Sequence, residues 1–401
     1  MSRAQTRVHR DVRAVPLVNF RTAVSLHSHT NNSKEALDFL PRYIDFHRIP
    51  ILSRLIRAQV ERHERNGNRV DFSRAYWTPP VTAKMVLDSE KLQIDKGLGL
   101  AAMVSITDHD TIAGPLSLRQ KSTEDWVPIS VEWTVPFRGN AFHLGVHNLP
   151  AESAVDMMAT LSHATSDPVE ETLTTLFALL DSSSEVLVVL NHPCCNFGRV
   201  QAEQHWATLR QFIAKFRTWI HAIEVNGMRP WNENEDALRL AEEYDLPVVA
   251  GGDRHGCRPN AMLNLTRAET WNEFVAQVRS DRHNDVLVLP AYEEPVRLRE
   301  LATAADVLRR YPHHPYGQRR FTDRVFANVE GYSWHPLSFF WDGGDAVPMW
   351  LAPVVSAVIA LGSDPVRPVL RRVLSLGGPD YGSEAASTLK EETQPSLQSE
   401  S

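Results

Sequence analysis

Seven short apolar runs, each ending in polar or ionisable residues, recur along the first two-thirds of the chain. They are Val18–Thr30, Ala101–His109, Val127–Thr134, Ala141–Leu149, Glu185–His192, Ile220–Asn226 and Leu246–His255. Most are separated by stretches in which apolar residues return at helical spacing. The spacing predicts helices over Thr82–Lys96, Pro168–Leu180, Gln204–Phe216, Asn232–Tyr244 and Thr266–Val278. The first has Thr82 as its N-cap and Gly97 as its stop. Strand–helix alternation implies a parallel sheet with crossover helices. Seven strands with polar C-terminal ends predict a closed α/β barrel, whose site lies at that face.

Two regions depart from the alternation. Residues 38–80 follow the first strand and are too long for a plain βα loop. They contain an amphipathic pattern, Ile51–Arg65, ending at Asn66-Gly67, and an aromatic-proline stretch, Tyr76-Trp77-Thr78-Pro79-Pro80. Such an insertion lies on the active face, as a lid or pocket wall or as a structural addition. Residues 286–381 form an α-rich C-terminal extension with a basic stretch from Arg297 to Arg324 and an aromatic cluster of Tyr332, Trp334, Phe339, Phe340 and Trp341. The predicted organisation is an N-terminal arm (1–17), a barrel (18–285) with the 38–80 insertion, the extension, and a disordered Ser/Glu/Thr-rich tail (382–401).

Composition narrows the function classes. The 401 residues are 43% apolar, enough for a large core, and the formal net charge of −7 argues against duplex nucleic-acid binding through counterion release. The longest apolar stretch, Val347–Leu361, contains two prolines and a serine and is shorter than a membrane span. It reads as a buried helix, and no membrane partner is expected. The charged N-terminus shows no signal-peptide pattern, and the three cysteines, Cys194, Cys195 and Cys257, fit a reduced, cytoplasmic setting. Oligomeric state is not legible.

The ends of the runs carry the chemistry. His27 and His29 stand one residue apart, and alternate side chains of a strand share a face. Asp108-His109, Glu132, His143, His192, Asp253 and His255 end or follow the later runs. Imidazole and carboxylate are the ligand set for zinc, manganese or iron. One such residue has a bland explanation as a strand cap, but so many delivered to one rim would make a polynuclear metal cluster.

In order along the chain, Leu26-His27-Ser28-His29-Thr30, Ile106-Thr107-Asp108-His109-Asp110-Thr111, Glu132 with His143, Asn191-His192-Pro193 and Gly251-Gly252-Asp253-Arg254-His255 resemble the motifs of the PHP family, the polymerase and histidinol phosphatase domains. The resemblance covers roughly residues 20–280 and is closest to the free-standing phosphoesterase branch. It implies a distorted (β/α)7 barrel holding two or three divalent ions (Mn, Zn or Fe). It assigns His27, His29, Glu132 and Asp253 to a first ion. Glu132, as a bridge, with His143 and His192 would hold a second, and His109 with His255 a third. The chemistry of such a centre is hydrolysis of a small-molecule or nucleotide phosphoester by a hydroxide between the first two ions, with His109 or His255, where a third ion does not hold them, as the acid for the leaving oxygen.

One position departs from the family pattern. Family members carry Asp or His five residues after the second histidine of the first motif, where this chain has Lys34. A lysine ligates only when deprotonated. Lys34 is therefore either a phosphate-binding cation in the third-ion region or a solvent-facing residue. Arg254 is a second candidate for binding phosphate, although strand alternation turns it away from Asp253 and His255. His147 is a neighbour of the cluster rather than a ligand, and the cysteines read as packing residues. The competing readings are an amidohydrolase-type enzyme acting on a C–N or C–O bond, whose superfamily also begins with His-x-His, and a non-catalytic metal-binding module.

Overall fold

The structure, a computed structural model, describes residues 3–37, 71–121, 126–196, 200–329, 332–341 and 351–375, with Arg54, Arg57, Ala58, Glu61, Arg65 and Met349 besides. Most of the predicted Ile51–Arg65 helix and the tail from Gly382 lie outside the described residues. The strands are β1 (Gln5–His9), β2 (Thr22–Ser28), β3 (Glu35–Ala36), β4 (Ala75–Trp77), β5 (Ala101–Val104), β6 (Ile129–Phe137) and β7 (Asn140–Leu149). They continue with β8 (Leu187–Asn191), β9 (Ala222–Asn226), β10 (Val248–Arg254), β11 (Met262–Thr266), β12 (His283–Val288), β13 (Val325–Asn328) and β14 (Trp334–Pro336). The main helices are α1 (Ala83–Leu98), α2 (Ala113–Lys121), α3 (Ala154–Ser166), α4 (Glu170–Asp181), α5 (Ala202–Phe216), α6 (Trp231–Glu243), α7 (Trp271–Arg279) and α8 (Val296–Leu308).

Each of the seven apolar runs contains one strand, β2 or one of β5 to β10. Every residue of β2, β8, β9 and β10 is buried, as expected where helices cover one face of a sheet and the interior fills the other. The large sheet runs β1-β12-β11-β2-β10-β9-β8-β7-β6, and β5 also pairs with β2. The segment after β5 hydrogen-bonds to both neighbours. Ser105 N donates to Ser25 O (2.9 Å) and Thr107 N to Ser28 O (2.9 Å). On the other side, Asp110 N donates to Glu132 O (2.9 Å) and Glu132 N to Asp108 O (3.2 Å). The pairing path from β2 through β5, β6, β7, β8, β9 and β10 therefore returns to β2.

The sheet is mixed rather than parallel throughout. β6 and β7 form an antiparallel hairpin, and β7 is antiparallel to β8. Arg138 and Gly139 both have positive φ (49° and 76°), which matches the right-handed twist of a two-residue hairpin and leaves no room for a crossover helix. The N-terminal arm is not free: β1 lies parallel to β12, from Gln5 opposite His283 to His9 opposite Leu287. β12 itself straddles the expected barrel boundary at 285. Helix α1 has the expected Thr82 cap, whose side chain accepts from Met85 N, but it runs on to the left-handed Gly99. Helices α2 and α3 were not signalled by the periodicity.

The core under the hairpin is aromatic. Phe212 of α5 packs against Phe137, Phe142, Phe177 and Phe216. Truncating it to alanine would cost about 3–5 kcal/mol. The C-terminal extension contributes β13 and β14, which join β4 and β3 in a second, four-stranded sheet. Three arginines of its basic stretch find partners within the extension. Arg324 is buried, donating to the carbonyls of Val307, Arg309 and Gln318, while Arg309 pairs with Asp306 and Arg320 with Asp323. The predicted buried helix appears as Ala352–Leu361, with Val354, Val355 and Val358 inside. No helix of the described residues is long and apolar enough to cross a membrane.

Candidate metal centre

Glu132 is the hub. It sits in the middle of β6, fully buried, and five imidazoles converge on its carboxylate. His27 Nε2, His29 Nε2 and His109 Nδ1 lie 3.1, 3.2 and 3.3 Å from Oε2. His192 Nε2 and His143 Nδ1 lie 3.1 and 3.4 Å from Oε1. Asp253 Oδ1 stands 3.5 Å from both His27 Nε2 and His29 Nε2. Ligand atoms held about 2.0–2.2 Å from one tetrahedral ion stand roughly 3.3–3.6 Å apart. The donors thus already have the spacing of a coordination shell.

Three groups of donors could each hold an ion: His27, Glu132, His192 and Asp253; His109, Glu132 and His143; and His29, Glu35, His109 and His255. Within each, the ligand atoms lie within 4.8 Å of one another. His29 faces both the first and the third group. Buried Nε2 atoms of His27 and His29 and buried carboxylate oxygens of Glu35 and Glu132 make no hydrogen bond. Leaving such atoms unsatisfied is costly. A cation among them removes that cost, so the donor set fits divalent ions.

Glu35 is the residue that the motif reading missed. It fills the third group at position 35, one residue beyond the family position. Its Oε2 lies 3.1 Å from His255 Nε2 and 3.4 Å from His109 Nε2. Neighbours in an extended segment point to opposite faces. With Glu35 turned inward, Lys34 is exposed, its ammonium 5.5 Å from the Tyr76 ring centre. The structure thus takes Lys34 out of the cluster. It does the same for Arg254, whose buried guanidinium donates to Glu90 Oε1 (2.6 Å), Ser89 Oγ (2.8 Å) and the Gly256 carbonyl (3.2 Å). The cation that does reach the cluster is Arg229, in the loop after β9, with Nη2 3.9 Å from Asp253 Oδ2.

His109 and His255 are also placed differently from their expected role as acids. Both ring nitrogens of His109 are directed at carboxylates, Glu132 and Glu35. His255 Nδ1 donates to the Asp253 carbonyl (2.8 Å) while Nε2 faces Glu35. Neither ring keeps a nitrogen for a leaving group. His147 stays outside the cluster, with Nδ1 2.8 Å from Ser105 Oγ, and burial depresses its pKa to about 3. The cysteines are free thiols whose pKa values burial raises.

A supporting layer orients the ligands. Glu224, buried in β9, accepts from His27 Nδ1 at 2.6 Å, which leaves Nε2 to present its lone pair to the cluster. Its other oxygen accepts from His192 N (2.8 Å) and Asn226 Nδ2 (2.9 Å). Ser33 Oγ lies 3.2 Å from His29 Nδ1 and accepts from His109 N. Asn191 donates to Glu132 Oε1 at 3.0 Å. The backbone takes part too. His27 (φ 63°), His192 (φ 27°) and Asp253 (φ 53°), three of the four donors in one group, occupy the left-handed region. Each such residue costs of the order of 1–3 kcal/mol and persists only where its surroundings enforce it. At Asp253 the device is a bulge: Gly251 opposes Leu26 and Arg254 opposes Ser28, so β10 carries one extra residue opposite His27.

The electrostatics follow from this crowding. Burial would raise the Glu132 carboxyl, but His27, His109 and His143 hold it well below the usual range. Glu35 and Asp253 are likewise held low against burial by facing imidazoles. Burial would lower His109, but Glu132 and Glu35 raise it to about 10. At His143 burial prevails and the pKa falls to about 4. The side chains of His109, His143 and His255 are partly exposed (17%, 14% and 17%), whereas His27, His29 and Glu132 are sealed. Solvent therefore reaches the cluster over those three rings.

No protein-family profile and no curated protein matches the chain. Among solved structures it is similar to PsfC from Pseudomonas syringae, at 16% identity, a TM-score of 0.37 and coverage of 53% of this chain and 87% of that one. A candidate metal-dependent phosphoesterase from Bifidobacterium adolescentis aligns at 18% identity, with a TM-score of 0.31, over 51% of this chain and 92% of the other. An amidohydrolase from Chromobacterium violaceum aligns at 14% identity, with a TM-score of 0.31, over 45% and 84%.

Proposed function

We propose that this chain is a metal-dependent phosphoesterase of the PHP type, built on a distorted seven-stranded barrel of β2 and β5 to β10. The observation that carries the reading is the Glu132 hub: five imidazoles around one buried carboxylate, with donor atoms that no hydrogen bond satisfies. His27, Glu132, His192 and Asp253 would hold one ion, and His109, Glu132 and His143 a second. His29, Glu35, His109 and His255 would hold a third. Bound divalent ions would supply Lewis acidity, lowering the pKa of a coordinated water toward about 7 and drawing charge from phosphoryl oxygens.

The chain's own groups do the rest. Glu132 ties the ligand groups together, and Glu224 fixes the His27 ring. The rings of His109, His143 and His255 form the floor on which substrate lands, with Trp77 beside His255 (ring centres 5.9 Å apart) as one wall. Arg229, whose Nη2 reaches to 3.9 Å from Asp253 Oδ2, would pair with an anionic oxygen, and a guanidinium does so in bidentate fashion. A small-molecule or nucleotide phosphoester suits a site whose exposed surface is three partly exposed imidazoles over buried carboxylates. The test is a panel of phosphomonoesters, phosphodiesters, lactones and amides assayed with Mn, Zn or Fe supplied. Turnover confined to phosphoesters supports the reading. Turnover of lactones or amides alone moves the chain to amidohydrolase-type chemistry, and inactivity on all of them with ions bound leaves a metal-binding module.

A further inference from the structure

The third donor group is held from outside the β2–β10 ring. Glu35 lies on the two-residue strand β3, where it pairs with Trp77 of β4, and Trp77 pairs in turn with Val325 of β13. Thr78 N donates to Arg324 O (2.9 Å), and Tyr76 stacks on Phe326 with ring centres 4.8 Å apart and planes within 7°. On the other side, the loop after His255 is tied to α8. Cys257 N donates to Asp306 Oδ2 (2.9 Å), Cys257 Sγ lies 3.3 Å from the Tyr311 hydroxyl, and a Cβ on Gly256 would touch Asp306 and Thr303. Arg324, the residue before β13, donates to the Val307 carbonyl in the last turn of α8 and to those of Arg309 and Gln318 beyond it. By contrast, the partners named above for His27, Glu132 and His192 all come from residues before His255.

We infer that the C-terminal extension assembles the third ion position: α8 and β13 hold His255 and Glu35 against His29 and His109, and the position fills only when the extension is docked. The inference rests on the metal-centre reading. Asp306 and Phe326 are then positioning residues for an ion that they never touch. The remaining two positions, built by the ring alone, are independent of them.

The experiment uses the full chain, manganese(II) as the only added ion, and Glu35→Gln as the reference for a lost third position. Metal content after gel filtration and equilibrium-dialysis affinities are measured for wild type, Asp306→Ala and Phe326→Ser, with circular dichroism melts to establish folding. Wild type is expected to retain one ion more than Glu35→Gln. Both extension variants should match Glu35→Gln, with the weakest ion loosened at least tenfold and the other two unchanged. Should alanine at 306 unfold the chain, Asp306→Asn replaces it, with a loosening of threefold or more expected. Unchanged affinity in folded variants, equal loss of every ion, or a wild type holding no more than Glu35→Gln overturns the inference. A wild type that binds no manganese here, and no zinc or iron in parallel dialyses, overturns the metal-centre reading itself.

Discussion

Replacing Gly251 by alanine tests the supporting layer without touching a ligand. A Cβ at this position in β10 would overlap Glu224 Oε1 and come within 2.5 Å of its Cδ and 3.0 Å of its Cγ. Glu224 has to leave. With it go the 2.6 Å bond to His27 Nδ1, the 2.8 Å bond from His192 N and the 2.9 Å bond from Asn226. Hydrogen bonds to a charged group contribute about 1.5–3 kcal/mol each, and overpacking a core costs about 1–3 kcal/mol. Partial relaxation makes about 3–5 kcal/mol of lost stability the expected result. Losing the partner of a ligating histidine typically weakens metal binding about 10–100-fold. Denaturant unfolding of the ion-free protein and dialysis with manganese or zinc measure the two effects separately. Glu224→Gln, which keeps the volume, should reproduce the affinity loss with a smaller stability loss. A Gly251→Ala protein with wild-type stability and affinity would refute the claim that Glu224 positions His27.

Glu132→Gln removes the charge that two of the three donor groups share, so at least one ion should be lost and activity should fall about 100-fold or more, measured by metal analysis and turnover. Ion uptake should release protons. Imidazoles ligate only when neutral, and in the ion-free cluster His109 keeps its proton up to about pH 10. Affinity should therefore rise with pH until about 10, and calorimetry at pH 7 in buffers of different ionisation enthalpy should detect the release; none would contradict the reading. The same raised value means that His109 stabilises the ion-free fold fully below about pH 6.5, an advantage lost as pH climbs to about 10. Lys34→Ala and Arg254→Lys should leave KM for an active phosphoester within about threefold, whereas Arg229→Met should raise it about tenfold or more, an ordinary loss for a charged hydrogen bond.

Much of the frame was legible because the chain writes each strand of the ring as an apolar run with a polar end. The antiparallel hairpin was not, because Arg138-Gly139 is a weaker turn signal than Asn-Gly and the runs on either side look alike in both directions. Strand β1 was assigned to the N-terminal arm, β11 precedes a predicted helix that it meets only at Thr266, and β12 straddles the expected barrel boundary. Among ligand candidates, residues at strand ends stood out by position. Glu35 escaped because the expected slot held a lysine and the chain simply takes the next residue, a shift visible only once β3 has a partner. Glu224 escaped because it sits inside an apolar run, where nothing in the spacing distinguishes a ring-orienting carboxylate from a strand cap. Lys34 and Arg254 take the alternatives that strand alternation left open, one facing solvent and the other turned from the cluster to Glu90.

The three left-handed ligands bear on any effort to graft this centre. Copying the side chains onto another barrel would reproduce the list of donors but not their directions, because His27, His192 and Asp253 are aimed by backbone torsions that ordinary strands do not adopt. The transferable unit is larger than its donors. It comprises the β10 bulge, the glycine that admits Glu224, and the turn after β8, and a scaffold lacking these would carry the ligands without the geometry.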